Sequence, residues 1–273
     1  MKRWVLCLVS VCLTTILFLR LWTISAESSA RWTPDYPMED LTAVLQKALL
    51  SDEDYSLLYT QTGLARPAVD TLLRQGRSEM VFEIQQAFFT EPTILCEKNS
   101  PISREESAAK GKACPIIAVE NGDILITPNS HTFGWRNGHA ALVVDAENRL
   151  TLESAVLGEV SGIQSLDKWE RYPAFLVLRV RGLSEEQRSL AAVYALESLT
   201  EIPYGFTVGV LSAKYAEPLK ETHCAHLVWA AYRKFGIDLD ANGGRIITPR
   251  QLAASEHLEV VQVYGIDPAR LWK

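Results

Sequence analysis

The stretch that most constrains this fold is residues 222–232, which has the pattern of a helix with a cysteine in its first turn. Apolar residues follow Cys224 at offsets of three, four, seven and eleven, which is one face of an α-helix. Thr222 is placed to cap this helix, and Gly236 to end it. The positive end of a helix favours a thiolate, so Cys224 is a candidate nucleophile. A small buried core residue is the alternative interpretation.

Short β-type runs with turn residues between them predict an antiparallel sheet upstream of this helix. The runs are residues 122–126, 140–145, 150–154 and 174–180, with a last strand at 258–264. His139 opens the second run and Glu153 lies in the third, so a hairpin would place them side by side. Glu153 could then hold one ring nitrogen of His139 while the other faces a thiol. A structural histidine and a surface carboxylate are the alternatives.

The first 26 residues have the pattern of a targeting segment rather than of a folded domain. Lys2 and Arg3 precede an apolar run at residues 4–19, which predicts a signal peptide or an uncleaved membrane anchor. Either one places the remaining chain outside the cytoplasm, in the cell envelope or the extracellular space. A buried N-terminal helix of a cytosolic protein is the alternative.

The charge of the exported part argues against nucleic acid as a partner. The leader holds three of the 27 basic residues and no acidic residue, which leaves 24 bases against 33 acids and a net charge of −9. Nucleic-acid-binding domains carry the opposite sign. The hydrophobic content of 48% is that of an ordinary folded protein.

Three cysteines lie outside the leader. Cys96 and Cys114 flank a polar stretch without a helical stripe, which predicts a loop closed by a disulfide at residues 96–114 in an oxidising compartment. Cys224 would then be left unpaired. Residues 27–95 have helical patterns, including a helix started by Pro67 and ended by Gly76, and predict a helical subdomain.

Two residues near Cys224 are candidates for substrate binding. Tyr204 stands in the turn that leads to the helix, and His223 directly precedes the cysteine. Packing in the core is the alternative for Tyr204. A zinc site formed by His223, Cys224 and His226 is disfavoured, because these helix positions converge poorly. No metal and no cofactor are therefore expected.

The motifs occur in an order that resembles a known family. They are Gly122-Asp123-Ile124, Gly138-His139-Ala140, Leu152-Glu153-Ser154-Ala155, Cys224-Ala225-His226-Leu227-Val228-Trp229, and Thr248-Pro249 with Leu252. This set is similar to the circularly permuted NlpC-type papain-like cysteine hydrolases of the YaeF/YiiX group, in which the histidine precedes the cysteine. The resemblance covers residues 115–273.

The resemblance implies a permuted papain-like α+β domain, with Cys224 as nucleophile, His139 as base and Glu153 as the third polar residue. It also implies amide hydrolysis through an acyl-enzyme, with peptidoglycan stem peptides as the expected substrate of an exported member. Residues 224–228 also resemble the cysteine motif of lecithin–retinol-acyltransferase-like proteins, which act on lipid acyl or amide groups. An inactive wall-binding module is a further alternative. The oligomeric state is left open.

Overall fold

The computed structural model describes residues 2–27, 31–100 and 102–271. The chain is mixed α+β with two antiparallel sheets, as the predicted α+β class requires. The strands of the described part are β1 (Ile94–Lys98), β2 (Ser103–Ala108), β3 (Ile124–Thr127), β4 (Ser130–Thr132), β5 (Trp135–Arg136), β6 (His139–Asp145), β7 (Leu150–Glu153), β8 (Gly162–Ser165), β9 (Phe175–Val180) and β10 (Leu258–Tyr264).

Helices precede and separate these strands. They are α1 (Lys2–Glu27), α2 (Thr42–Leu45), α3 (Asp52–Thr62), α4 (Arg66–Arg74), α5 (Glu79–Phe89), a short 3-10 helix (Leu166–Arg171), α6 (Glu185–Ser198), α7 (Cys224–Arg233) and α8 (Pro249–Ala253).

The larger sheet has six strands in the order β10-β9-β3-β6-β7-β8, and every neighbouring pair is antiparallel. Strands β3, β6, β7 and β8 follow one another as a meander. Strand β9 then returns to the opposite side of β3, so the sheet is not the simple meander expected. Strand β8 escaped prediction because three of its four residues are exposed and show no alternation.

The two faces of this sheet are covered by different helices. Alternate residues such as Leu142 and Leu152 form a core with α6, α7 and α8. The intervening residues, such as Val143 and Val177, form a second core with α2 to α5. The N-terminal helices therefore share a core with the sheet on the face opposite the Cys224 helix.

A close backbone approach holds the N-terminal helices to the sheet. Gly63 ends α3 with a φ of 72°, and the following Leu64 forms an isolated bridge with Gln262 of β10. A Cβ at position 63 would lie 1.9 Å from the Val263 carbonyl oxygen. Only glycine meets both requirements at this position.

The segment between Cys96 and Cys114 is not a disulfide-closed loop, which corrects the prediction. Strands β1 and β2 form a hairpin in which Cys96 pairs with Glu106. Both cysteines are free thiols: Cys96 is exposed on β1, and Cys114 is buried against the Gln262 side chain. Backbone pairing of the hairpin, rather than a covalent cross-link, orders this polar segment.

The hairpin is half of a second sheet that the sequence pattern did not reveal. Its strand order is β1-β2-β4-β5, so strands that precede β3 in the chain and strands that follow it form one sheet. The partly buried Glu106 carboxylate of β2 accepts two hydrogen bonds from Arg136 of β5, at 2.9 and 2.7 Å. It also binds the His131 ring of β4 at 3.0 Å. These contacts join the hairpin to the segment that ends at His139.

The leader forms α1, whose described side chains at residues 4–18 are exposed. Helix α1 contacts β5 of the second sheet. None of the helices in residues 2–27, 31–100 and 102–271 combines the length and the apolar character that crossing a membrane requires.

Candidate active site

Cys224 is the first residue of α7, as the helical pattern predicts. The residue that caps this helix is His223 rather than Thr222, because the His223 ring accepts the His226 N–H at 3.4 Å. The Thr222 hydroxyl lies instead 3.0 Å from Nδ1 of His226. The cysteine is largely buried, with its side chain toward the core that α7 shares with the sheet.

Strands β6 and β7 bring His139 and Glu153 together, as the hairpin prediction requires. His139 is the first residue of β6 and Glu153 the last of β7, so both lie at the same end of the sheet. Nε2 of His139 is 2.6 Å from Oε2 of Glu153, and both side chains are buried. This contact uses one ring nitrogen of His139 and leaves Nδ1 for another partner.

That other partner is the Cys224 thiol, which forms a side-chain hydrogen bond with His139. Helix α7 packs directly on β6, and this contact places the first turn of the helix beside the first residue of the strand. The structure therefore brings Cys224, His139 and Glu153 into one chain of hydrogen bonds.

Three further side chains hold the Glu153 carboxylate, and sequence reasoning missed all three. Oε1 accepts hydrogen bonds from the Thr151 hydroxyl at 2.8 Å and from the Trp169 indole N–H at 2.9 Å. Oε2 forms an ion pair with the Lys168 ammonium at 2.6 Å. A buried carboxylate with this many donors is fixed in orientation and stays charged.

Trp169 also orients the His139 imidazole. Its fully buried ring stacks on His139, with 5.6 Å between centroids and 18° between planes. Lys168 and Trp169 come from the 3-10 helix that connects β8 to β9. The strand pattern of the sequence places Thr151 and Glu153 on the same face of β7. Nothing in the sequence links residues 168–169 to this site.

The electrostatics favour a thiolate facing an imidazolium. Burial alone would raise the pKa of Cys224, but hydrogen bonds and positive charge from His139 and His223 lower it to about 5. Burial alone would lower the pKa of His139, but the hydrogen bonds and negative charges of Cys224 and Glu153 raise it to about 10. Between these values the proton resides on the imidazole and the sulfur is charged.

The carboxylate itself is held in its charged form. Burial would raise the pKa of Glu153, but the Lys168 charge and the His139 hydrogen bond lower it to about 2. Glu153 therefore supplies a permanent negative charge behind His139. Together with the interaction with Cys224, this charge keeps the imidazole protonated.

The start of α7 also offers hydrogen-bond donors beside the sulfur. The first N–H groups of a helix have no acceptor within the helix. At this terminus the His226 N–H is used by the His223 ring, and the Leu227 N–H by the His223 carbonyl. The N–H groups of Cys224 and Ala225 are the ones placed to receive a developing oxyanion.

Both candidate substrate-binding residues lie next to the thiol. His223 forms a side-chain hydrogen bond with it. Tyr204 is half-buried, and its strand bridge with Thr222 places it beside the start of α7. Burial and the negative charge of Cys224 both raise the pKa of Tyr204, so its hydroxyl remains a donor.

His226 has a structural role. Its Nε2 faces the Lys214 carbonyl oxygen at 2.9 Å, so this nitrogen carries a proton, and its Nδ1 faces the Thr222 hydroxyl. Burial lowers the pKa of His226 to about 4, and the ring stays neutral. Both ring nitrogens are thus occupied within the protein. In the described part of the chain, no three His, Cys, Asp or Glu side chains group as metal ligands.

No family model matches the sequence, and no curated protein matches it. Among solved structures, the chain is similar to the crystal structure of the metalloprotein YiiX from Escherichia coli O157:H7, with 15% sequence identity and a TM-score of 0.40. The match covers 52% of this chain and 96% of that one.

Proposed function

We propose that this chain is an exported cysteine hydrolase that cleaves amide bonds through a Cys224-His139-Glu153 triad. The observation that carries the proposal is the continuous hydrogen-bond chain from the thiol at the start of α7, through His139, to the buried Glu153 carboxylate. A nucleophile, a base and a group that orients the base are the parts that nucleophilic catalysis requires. The permuted papain-like fold belongs to the same proposal.

Acylation begins with the Cys224 thiolate attacking the carbonyl carbon of the amide. A carbon–sulfur bond forms, and the carbonyl π electrons move to the oxygen, where the Cys224 and Ala225 N–H groups stabilise the charge. The oxyanion then collapses and the carbon–nitrogen bond breaks. His139 gives its Nδ1 proton to the departing amine, which leaves an acyl thioester and a neutral imidazole.

Deacylation reverses the proton movement. His139 removes a proton from water, and the resulting hydroxide adds to the thioester carbon. The carbon–sulfur bond breaks, the carboxylic acid leaves, and the thiolate faces an imidazolium again. Glu153 remains charged throughout, because its hydrogen bonds and the ion pair with Lys168 persist through both steps.

The proposed substrate class follows from the resemblance and from the leader. An export segment at residues 1–26 would deliver the catalytic domain to the cell envelope. The amide bonds available to such hydrolases there are those of peptidoglycan stem peptides. The net charge of −9 outside the leader agrees with a partner other than nucleic acid.

The test measures new amino groups released from purified stem peptides. The parent protein is compared with Cys224→Ala, which removes the proposed nucleophile, and with Cys96→Ala, which removes an exposed thiol that is not part of the triad. We expect Cys224→Ala to lose all measurable cleavage while keeping the parent melting temperature, and Cys96→Ala to cleave at the parent rate. Cleavage by Cys224→Ala at the parent rate would reject the triad.

A lipid acyl or amide hydrolase is the second candidate, and one observation favours it. Exposed aromatic side chains form an apolar rim on the two segments that precede His139 and Cys224 in the chain. Phe133 in the β4–β5 turn packs edge-on against Phe206, 6.1 Å between centroids, and Trp135 lies two residues further along the chain. Each of the three rings is about half exposed. Such a rim suits acyl chains better than a polar peptide.

Two substrates offered in parallel separate these candidates. Fatty-acid release from an N-acyl lipid, without amine release from stem peptides, would select the lipid hydrolase. The reverse result would select the peptidase. Failure to cleave either substrate, together with a Cys224 that resists iodoacetamide below pH 8, would select the inactive wall-binding module.

A further inference from the structure

One oxygen of the Glu153 carboxylate is shared by two nitrogen donors. Nε2 of His139 and Nζ of Lys168 each lie 2.6 Å from Oε2. The other oxygen accepts hydrogen bonds from Thr151 and Trp169. A triad needs only the contact between its carboxylate and its imidazole. The ammonium on the same oxygen has no role in the two-step mechanism proposed for this site.

The 3-10 helix that carries Lys168 is clamped to β7, the strand that carries the carboxylate. Arg149, directly before β7, donates hydrogen bonds at 2.8 Å to both Asp167 and Glu170. These two acids flank Lys168 and Trp169 in the chain, so the lysine is held beside the carboxylate from both sides. With 33% of its side chain exposed, Lys168 keeps its ammonium in contact with water and charged.

The two nitrogens that share Oε2 are close enough for their charges to interact. Because each lies 2.6 Å from the same oxygen, they are at most about 5 Å apart, a distance at which like charges repel. Lys168 also neutralises part of the Glu153 charge that stabilises an imidazolium. Both effects favour the neutral form of His139.

This effect becomes important when the sulfur loses its charge. In the resting enzyme, hydrogen bonding and charge from Cys224 help to keep the His139 ring protonated. In the acyl-enzyme the sulfur belongs to a thioester, so its negative charge is absent. The ring must then be neutral in order to take a proton from water. Glu153 without a second cation would favour the imidazolium, which cannot act as a base.

We propose that Lys168 is a positioning residue of the triad, whose ammonium shares the Glu153 oxygen with His139 and so lets the imidazole stay neutral during deacylation. No bond to Lys168 forms or breaks and none of its protons is transferred, so the proton balance of both steps is unchanged. The catalytic consequence rests on the proposed hydrolase function. The sharing of one oxygen by two cations does not.

The other titratable groups near His139 come from α7 and from the residue after the 3-10 helix. Cys224 and the capping His223 stand at the start of α7. The Tyr172 ring packs edge-on against Trp169, 5.2 Å between centroids, and burial raises the pKa of Tyr172, so its hydroxyl stays neutral. The described strands β3 and β7, which flank β6, carry no charged side chain apart from the carboxylate itself. With the thiol removed, the titration of His139 therefore reports mainly on the carboxylate and its lysine.

Four variants of the full chain separate charge sharing from simple support of Glu153. All carry Cys224→Ala, whose neutral side chain imitates the uncharged sulfur of the acyl-enzyme. Lys168→Met removes the ammonium, Lys168→Gln keeps an N–H donor without the charge, and Lys168→Arg keeps both. Lys112→Met is the matched control, because Lys112 pairs with a different buried carboxylate, that of Glu170.

The experiment measures the pKa of His139 by NMR of the carbon-bound ring protons against pH, with the signals assigned from their loss in His139→Gln. We expect Lys168→Met and Lys168→Gln to raise this pKa by roughly one unit, because a neighbouring positive charge is lost. Lys168→Arg and Lys112→Met should match the chain that carries Cys224→Ala alone.

An unchanged or lowered His139 pKa in Lys168→Met would overturn the proposal. A lowered value would show that Lys168 only supports Glu153, because a carboxylate without support would move away from the imidazole. If Lys168→Met does not fold, the same criterion applies to Lys168→Gln, which keeps a donor to the oxygen. The titration needs no substrate. A raised pKa together with no cleavage of stem peptides by the parent would therefore reject the hydrolase and leave the charge sharing intact.

Discussion

Glu153 shows how a single side chain sets the chemistry of its neighbours. Its two oxygens contact four groups, and the contact with His139 Nε2 is one of the shortest at 2.6 Å. The negative charge raises the pKa of His139, which in turn lowers the pKa of Cys224. The acid–base behaviour of the site therefore depends on a residue that lies behind the imidazole.

Glu153→Gln should weaken the site without unfolding the chain. The amide keeps an oxygen for Thr151 and Trp169 but removes the charge behind His139, so the His139 pKa falls. We expect the alkaline limit of activity to move to lower pH and kcat/KM to drop by roughly 10- to 100-fold. The measurement is a pH–rate profile, with Glu159→Gln as an exposed control. A profile like that of the parent would show that Glu153 does not tune His139.

At the scale of elements, the segment between α6 and α7 is held by a buried ion pair. The Lys214 ammonium binds the Asp240 carboxylate and, at 2.9 Å, the Gly244 carbonyl oxygen. It also lies 4.7 Å from the centre of the Trp229 ring. The Lys214 carbonyl oxygen accepts a hydrogen bond from Nε2 of the His226 ring, so this segment and the start of α7 are joined.

Breaking this pair should be costly, because one partner would remain charged in the interior. Lys214→Met leaves the buried Asp240 carboxylate without its cation, and we expect a loss of about 3–5 kcal/mol in the free energy of unfolding. Urea denaturation measures the change. Asp52→Asn removes the carboxylate from the exposed pair with Arg66 and should have no resolvable effect. Equal stability of Lys214→Met and the parent would contradict a structural role for the pair.

The face of α6 that is buried differs from the face that its hydrophobic spacing indicates. Its leucine and valine residues have the spacing of an apolar stripe, yet Leu190 and Val193 are about half exposed. The buried face consists of Ala191, Ala192 and Ala195, with the aliphatic part of Arg188. Small residues let α6 approach the sheet closely, and the larger ones remain at the surface. Ser184 and Gln187 form a capping box at the start of α6, a local feature that their spacing of three residues indicates.

For the whole molecule, the stability against acid depends on how the second sheet is attached. Burial would raise the pKa of Glu106, but hydrogen bonds from His131, Arg136 and Asn129 lower it to about 2. A carboxylate with a depressed pKa in the folded state stabilises the fold above its unfolded pKa. That contribution is lost as the pH falls toward the folded value.

The free energy of unfolding should therefore fall between about pH 4.5 and pH 2, by roughly 3 kcal/mol from Glu106 alone. Glu106→Gln should be less stable than the parent at pH 6 and should lose less on acidification. Chemical denaturation at several pH values measures both. The same slope in the parent and in Glu106→Gln would place the acid sensitivity elsewhere.

The sequence by itself determined the features that depend on neighbours along the chain. Helix periodicity placed Cys224 in the first turn of α7, and strand alternation with a short turn paired His139 with Glu153. The mixed α+β class follows from the same local patterns. Local propensity and hydrophobic spacing act within a few residues, so they can be read before the fold is known.

Only the tertiary structure decided which distant groups meet. Lys168 and Trp169 support Glu153 because the 3-10 helix returns across β7. Cys96 and Cys114 remain free because β1 joins a second sheet. His223 caps α7 instead of the predicted Thr222, because the Thr222 hydroxyl contacts the His226 ring. These contacts depend on which surfaces pack together and on satisfying buried polar groups, and neither depends on proximity in sequence.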